Sequence, residues 1–173
     1  VNANISYFQT RAIIHHLYGV LRSPTVERSV RAHNPYKDRY GSNRDVFIHV
    51  RLTDIAHRNP GAAYFTGVVD QIERGGGYRH IYLATDEADH PIVQTILATY
   101  PSDRITLLHN ATPVQTIQFG STCRHLILSH GSFSAVIGYL AFDPATEVYY
   151  SRQFDRGQVW HGDLFSIPSW HEV

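Results

Sequence analysis

DVFIHVRLTD, residues Asp45 to Asp54, runs from an unbroken apolar segment straight into a cluster of polar side chains. Val46, Phe47, Ile48 and Val50 have the continuous apolar character of a strand covered on both faces, and the chain turns polar at Arg51, Thr53 and Asp54. A parallel strand that ends this way delivers its polar groups to the carboxyl edge of a sheet, where open α/β sheets bind ligands. His49 and Arg51 are two residues apart, so their side chains leave the same face. A guanidinium taken out of water needs a counter-charge. Two partners can supply it: Asp54, in a structural ion pair, or a bound anion.

Outward from this strand, the chain alternates between the two periodicities. Asn59-Pro60-Gly61 opens a helix that carries Tyr64, Phe65, Val68, Val69 and Ile72 on one side, and Gly75-Gly76-Gly77 closes it. This glycine run follows a helix and precedes a strand, the reverse of a dinucleotide-binding loop. His80–Ala84 reads as a second strand, ending at Thr85, Asp86 and Glu87, with a helix from Pro91 to Tyr100 behind it. Ile105–Leu108 is a third strand. Thr112 caps the next helix with Pro113 at its first position, and Val114, Ile117 and Phe119 supply its buried side. Leu126–Leu128 is a fourth strand, Ser129-His130-Gly131-Ser132 a tight turn, Phe133–Phe142 a helix ended by Asp143-Pro144, and Glu147–Tyr150 a fifth strand. Short connections between alternating strands and helices predict an α/β fold: a Rossmann-like, mostly parallel five-stranded sheet with helices on both faces.

Before the first strand, residues 5–21 read as a helix with a stripe at Tyr7, Ile14, Leu17 and Leu21 and a break near Gly19, and residues 22–44 as an irregular approach. His15 and His16 are adjacent, so they diverge on a helix and do not form an i, i+4 metal pair. The stretch from Trp160 to Trp170 is aromatic and irregular, suited to packing across a sheet edge.

Fifteen Lys and Arg balance fifteen Asp and Glu, so no broad field draws nucleic acid or an anionic membrane, and any anion site is local. A content of 43% hydrophobic residues suits a folded domain, and no run reaches the length of a membrane span. Cys123 is the single cysteine and lies among apolar residues, where a buried thiol is expected. The chain begins at Val1 and contains no Met, the pattern of a processed product or fragment. None of the twelve histidines has the spacing of a strong zinc motif.

Three strand ends thus carry polar groups: His49/Arg51/Asp54, Asp86/Glu87 and Ser129/Ser132/Ser134. Gly131 permits close backbone approach, and Ser132 is placed to cap the following helix while its first N–H groups face an anion. A diphosphate held between that helix start and Arg51 is one consistent geometry. The competing readings are a plain capping role for Ser132 and a Ser132/His49/Asp54 hydrolase, although HGSFS lacks the GxSxG elbow.

Taken together, HVRLTD (His49–Asp54), IYLATDE (Ile81–Glu87), CRHLILSHGSFSAVIGYLAF (Cys123–Phe142) and the closing FSIPSWHEV resemble the donor-binding half of the fucosyltransferase superfamily, closest in pattern to the α-1,2-fucosyltransferases. The likeness covers about residues 45–173 and departs from the family pattern at Leu52, Thr116, Ala135 and Val136. It implies a GT-B-type donor domain that transfers L-fucose from GDP-fucose to a glycan hydroxyl with inversion and without a required metal. By the same resemblance Arg51, at the donor diphosphate, and its flanking residues His49 and Asp54 are the catalytic residues. Asp86, Ser132, Phe133 and Ser134 are donor-site residues, and the general base is open among Asp54, Asp86 and a residue outside this chain. Residues 1–44 are read as a remnant of the acceptor side and residues 45–173 as the nucleotide-sugar-binding domain. The implied partners are a nucleotide sugar and a glycan, with a missing acceptor segment or a second copy completing the acceptor surface. The implied setting is a soluble domain, cytoplasmic or in the Golgi lumen as part of a larger anchored protein. A nucleotide-sugar-binding module without catalysis of its own is the alternative.

Overall fold

The computed structural model describes residues 10–54, 56–151 and 163–173, and within them six strands form one sheet in the order β3-β2-β1-β4-β5-β6. Every neighbouring pair is parallel. β1 (Val46–Val50) is buried at all five residues because strands lie on both sides of it and helices on both faces. β2 (Ile81–Thr85), β3 (Ile105–Leu107), β4 (His125–Leu128) and β5 (Glu147–Tyr150) stand within about a residue of where their apolar runs predict them. The sheet has a sixth strand, not five in all: β6 (His171–Glu172) adds to β5 through Tyr149↔His171 and Tyr150↔Glu172. Two polar residues leave no alternation to detect, so only the neighbouring edge makes them a strand.

Strand alternation sorts the side chains into two cores. Val46, Ile48, Val50, Ile81 and Leu83 point toward α3 (Ala62–Arg74) and α4 (Pro91–Thr99), which bury Phe65, Val68, Val69, Ile72, Val93 and Ile96 against them. Phe47, Ala84, Leu126 and Leu128 point the other way, onto α1 (Arg11–Leu21), α6 (Ser132–Tyr139) and the closing segment with Leu164, Ile167 and Trp170. α5 (Pro113–Gly120) covers this same face through Ile117 and Phe119. Each fully buried aliphatic or aromatic side chain contributes about 1.5–3 kcal/mol, so β1 anchors both layers.

Several local expectations change. α1 runs through Gly19 without a break, and its buried stripe is Ile14, Tyr18 and Leu21, with Leu17 exposed; spacings of four and three keep that set on one face where Leu17 is rotated off it. Tyr7 and Trp160 lie outside the described residues. Residues 22–44 are not wholly irregular: α2 (Pro24–His33) starts on a proline at N1 and is secured by an Arg31–Glu27 pair at 3.0 Å. Residues 10–44 are tied to the sheet by Arg39, which reaches Asp45 at 2.8 Å and Thr122 at 3.1 Å and lies over the Phe119 ring. Val114 is 62% exposed; the short α5 turns Thr116 and Gly120 inward, and its Thr112 cap is reciprocated by Gln115. α6 ends at Tyr139, a turn before the Asp143-Pro144 stop.

Gly138 on α6 marks how closely the closing segment packs. A Cβ there would lie 2.6 Å from the Trp170 ring, which itself stacks on Tyr139. Gly138→Ala is expected to cost about 1–3 kcal/mol by overpacking and to displace Trp170. Urea unfolding followed by tryptophan fluorescence checks both effects.

Candidate functional site

β1, β2 and β3 run outward in one direction, and the chain then returns to the far side of β1 for β4, β5 and β6. The reversal leaves a crevice at the carboxyl edge between β1 and β4, the place where ligands bind in open α/β sheets. At this edge the structure has a cleft of about 260 Å³, lined among others by His49, Arg51, Asp86, Leu108, Thr116 and Phe133. Five segments therefore contribute: β1, β2, the segment after β3, and the starts of α5 and α6.

Arg51 is 36% exposed and sits between two carboxylates, Asp86 at 2.5 Å and Asp54 at 2.8 Å. The structural ion pair with Asp54 thus forms, and a second one joins it. Asp86 also accepts the Leu52 N–H at 2.8 Å and the Thr53 hydroxyl at 2.8 Å, so the end of β2 shapes the loop that leaves β1. Asp54 is held below the usual carboxylate range, first by its own backbone N–H and, against an opposing desolvation, by Arg51 and the Thr53 hydroxyl. One guanidinium faces two carboxylates here, a local excess of one negative charge.

His49 is 5% exposed, lies against the Phe133 ring at 5.0 Å, and shares its Nδ1 with the Ser134 hydroxyl at 2.6 Å. Burial drives its pKa down to about 4, with Arg51 and His130 adding to the fall and Asp86 opposing it. Ser134 is fully buried and directs its hydroxyl also to the His130 carbonyl at 3.3 Å, so it supports His49 and does not open to the cleft. Ser132 is not the cap. Gly131, at φ 94°, takes the N-cap position, and the exposed Ser132 becomes the first helical residue. The positive φ that turns the chain after β4 belongs to glycine, which shifts the register by one.

The arrangement joins His49, Arg51, Asp54, Asp86 and Phe133 around one edge, with Ser134 behind His49. It does not build a hydrolase relay: His49 bonds Ser134 and Asp54 bonds Arg51, while Ser132 bonds neither. Cys123 is buried beneath Arg39, and burial pushes its thiol up to about 12, far from a nucleophile. Among the described residues no group of three or more His, Cys, Asp or Glu is placed to hold a metal ion, and no helix is long and apolar enough to cross a membrane.

Sequence reasoning missed the role of Asp86 as the organiser of residues 51–53 and of Ser134 as the partner of His49. Both depend on which strands are neighbours, information absent from alternation alone. It also missed a larger cavity of about 560 Å³ at the opposite, amino edge of the sheet, lined by Arg44, Gly76, Arg124, His125, Asp143 and Glu147. Arg44 there is committed to the Gly76 and Gly77 carbonyls, and Glu147 to His125 at 3.1 Å and Tyr149 at 2.8 Å.

Among known proteins, no family model and no curated sequence matches this chain. Fold and cleft together define a Rossmann-like α/β domain with a charged crevice at its carboxyl edge.

Proposed function

We propose that this chain is the donor-binding domain of a GT-B-type glycosyltransferase that transfers L-fucose from GDP-fucose to a glycan hydroxyl with inversion. The observation that carries the reading is the meeting of Arg51 at the end of β1 with Phe133 at the start of α6 around one cleft at the switch point. In this reading an anion lies between the Arg51 guanidinium and the start of α6, where Phe133 lines the cleft. Charge accumulates on the departing nucleoside diphosphate as the glycosidic bond breaks, so fixed donors around it lower the barrier. Arg51 serves this role without a required metal.

The carboxylates bear on how Arg51 works. Asp54 is 66% exposed and Asp86 22%, so a phosphate displaces Asp54 and leaves Asp86 to hold the guanidinium in line. Two of the five guanidinium N–H donors are used by the carboxylates. A cleft of about 260 Å³ has room for only part of a nucleotide sugar, and in this reading the diphosphate and sugar go inside while the nucleoside lies across the rim. The same small, acidic cleft favours one second reading, a nucleotide-sugar-binding module that needs another chain for turnover.

Calorimetric titration with GDP, UDP and CMP, beside a GDP-fucose turnover assay, tests the reading. GDP is expected to bind at least about tenfold tighter than UDP or CMP, a difference of about 1.4 kcal/mol. Binding without turnover selects the module, and no preference for GDP overturns the assignment.

A further inference from the structure

The cleft wall contains a histidine whose two ring nitrogens are treated differently. Nδ1 of His49 lies 2.6 Å from Ser134 Oγ, while Nε2 makes no hydrogen bond to the described residues although His49 lines the cleft. Ser134 has one hydroxyl proton and two neighbours, His49 Nδ1 and the His130 carbonyl at 3.3 Å. A carbonyl only accepts, so both contacts are hydrogen bonds in a single arrangement: Ser134 donates to His130, and His49 Nδ1–H donates to Ser134. The proton of the neutral ring is then on Nδ1 and the lone pair on Nε2. Phe133 fixes the ring plane from one side, which keeps that lone pair from rotating away.

We propose that Ser134 locks His49 as the Nδ1–H tautomer and that the bare Nε2 of this cleft-lining residue is the general base that takes the proton of the acceptor hydroxyl. This rests on the transferase reading and fills the role that reading leaves unassigned. In the step, the hydroxyl O–H bond breaks and its proton passes to Nε2. The oxygen lone pair forms the bond to the anomeric carbon, and the bond from that carbon to the diphosphate oxygen breaks, its electron pair leaving with GDP. The ring becomes an imidazolium, and Asp86 offsets part of the cost that burial, Arg51 and His130 impose on its charge. Ser134 touches no substrate and is a positioning residue.

The test is a long-range proton–nitrogen NMR correlation of the ¹⁵N-histidine-labelled protein at neutral pH, with the His49 ring signals assigned by their loss in His49→Gln. The expected spectrum shows a protonated Nδ1 and an unprotonated Nε2, and Ser134→Ala shifts the population toward Nε2–H. An Nε2–H ring in the parent protein overturns the proposal whether or not Ser134→Ala folds. In the transfer assay His49→Gln is expected to lower kcat by about 10²–10⁴-fold, and Ser134→Ala to lower kcat with KM little changed. Full transfer by His49→Gln beside a GDP-binding parent defeats the base assignment and leaves the transferase reading standing. A parent that binds no GDP defeats both.

Discussion

Arg51→Ala is expected to abolish detectable transfer from GDP-fucose, a fall of at least about 10³-fold, while the protein remains folded. The size follows from what the substitution removes. In the proposed reaction a guanidinium at the leaving diphosphate acts most strongly when charge is greatest, so its loss is expected in kcat and kcat/KM together. The stability cost is small because the side chain is 36% exposed and its pairs lie at the surface, where each is worth about 0–1 kcal/mol. Arg51→Lys keeps the charge without the planar fork, and an intermediate rate is expected. Equal transfer by Arg51→Ala and the parent would remove Arg51 from the site. Circular dichroism and urea midpoints separate loss of chemistry from loss of fold.

Acid is expected to destabilise the protein through His49. Its folded pKa is about 4 against an ordinary value of 6.5, so between these the unfolded chain binds a proton that the native chain refuses. Stability is complete above the ordinary value and falls as the pH drops toward the folded one. The full loss is about 3 kcal/mol, from the size of the shift. Burial sets the direction; Arg51 and His130 reinforce it, and Asp86 opposes it. His125 shares the sign, since burial lowers its pKa against the pull of Glu147. Urea midpoints of the parent and His49→Gln, measured through this range, isolate the His49 share: the parent should lose more stability than the variant on acidification. Parallel curves would mean that the ring is not held neutral.

The fold was legible wherever local chemistry repeats at a fixed period. Val46–Val50, Ile81–Thr85 and His125–Leu128 are strands because apolar residues run between polar ends, and Thr112-Pro113 and Gly75-Gly76-Gly77 announce a helix start and stop. β6 was not legible, because His171 and Glu172 become a strand only by meeting Tyr149 and Tyr150. In the site, His49 and Arg51 could be placed on one face from their spacing alone. That Asp86 meets Arg51 follows from the β1–β2 register, Val50↔Thr85, and that Ser134 meets His49 follows from β4 lying beside β1. Neither pairing is encoded in a single stretch. The Ser132 expectation failed on one residue of register, since Gly131 at positive φ occupies the cap.

The carboxyl edge, and not the roomier amino edge, is the proposed seat of the nucleotide. Titrating GDP into the ¹⁵N-labelled protein and following backbone amide shifts tests it most directly. Perturbations are expected to concentrate at residues 49–54, at Asp86 and at residues 130–134. Shifts centred on Arg44, Gly76 and Arg124, or none at saturating GDP, would contradict it.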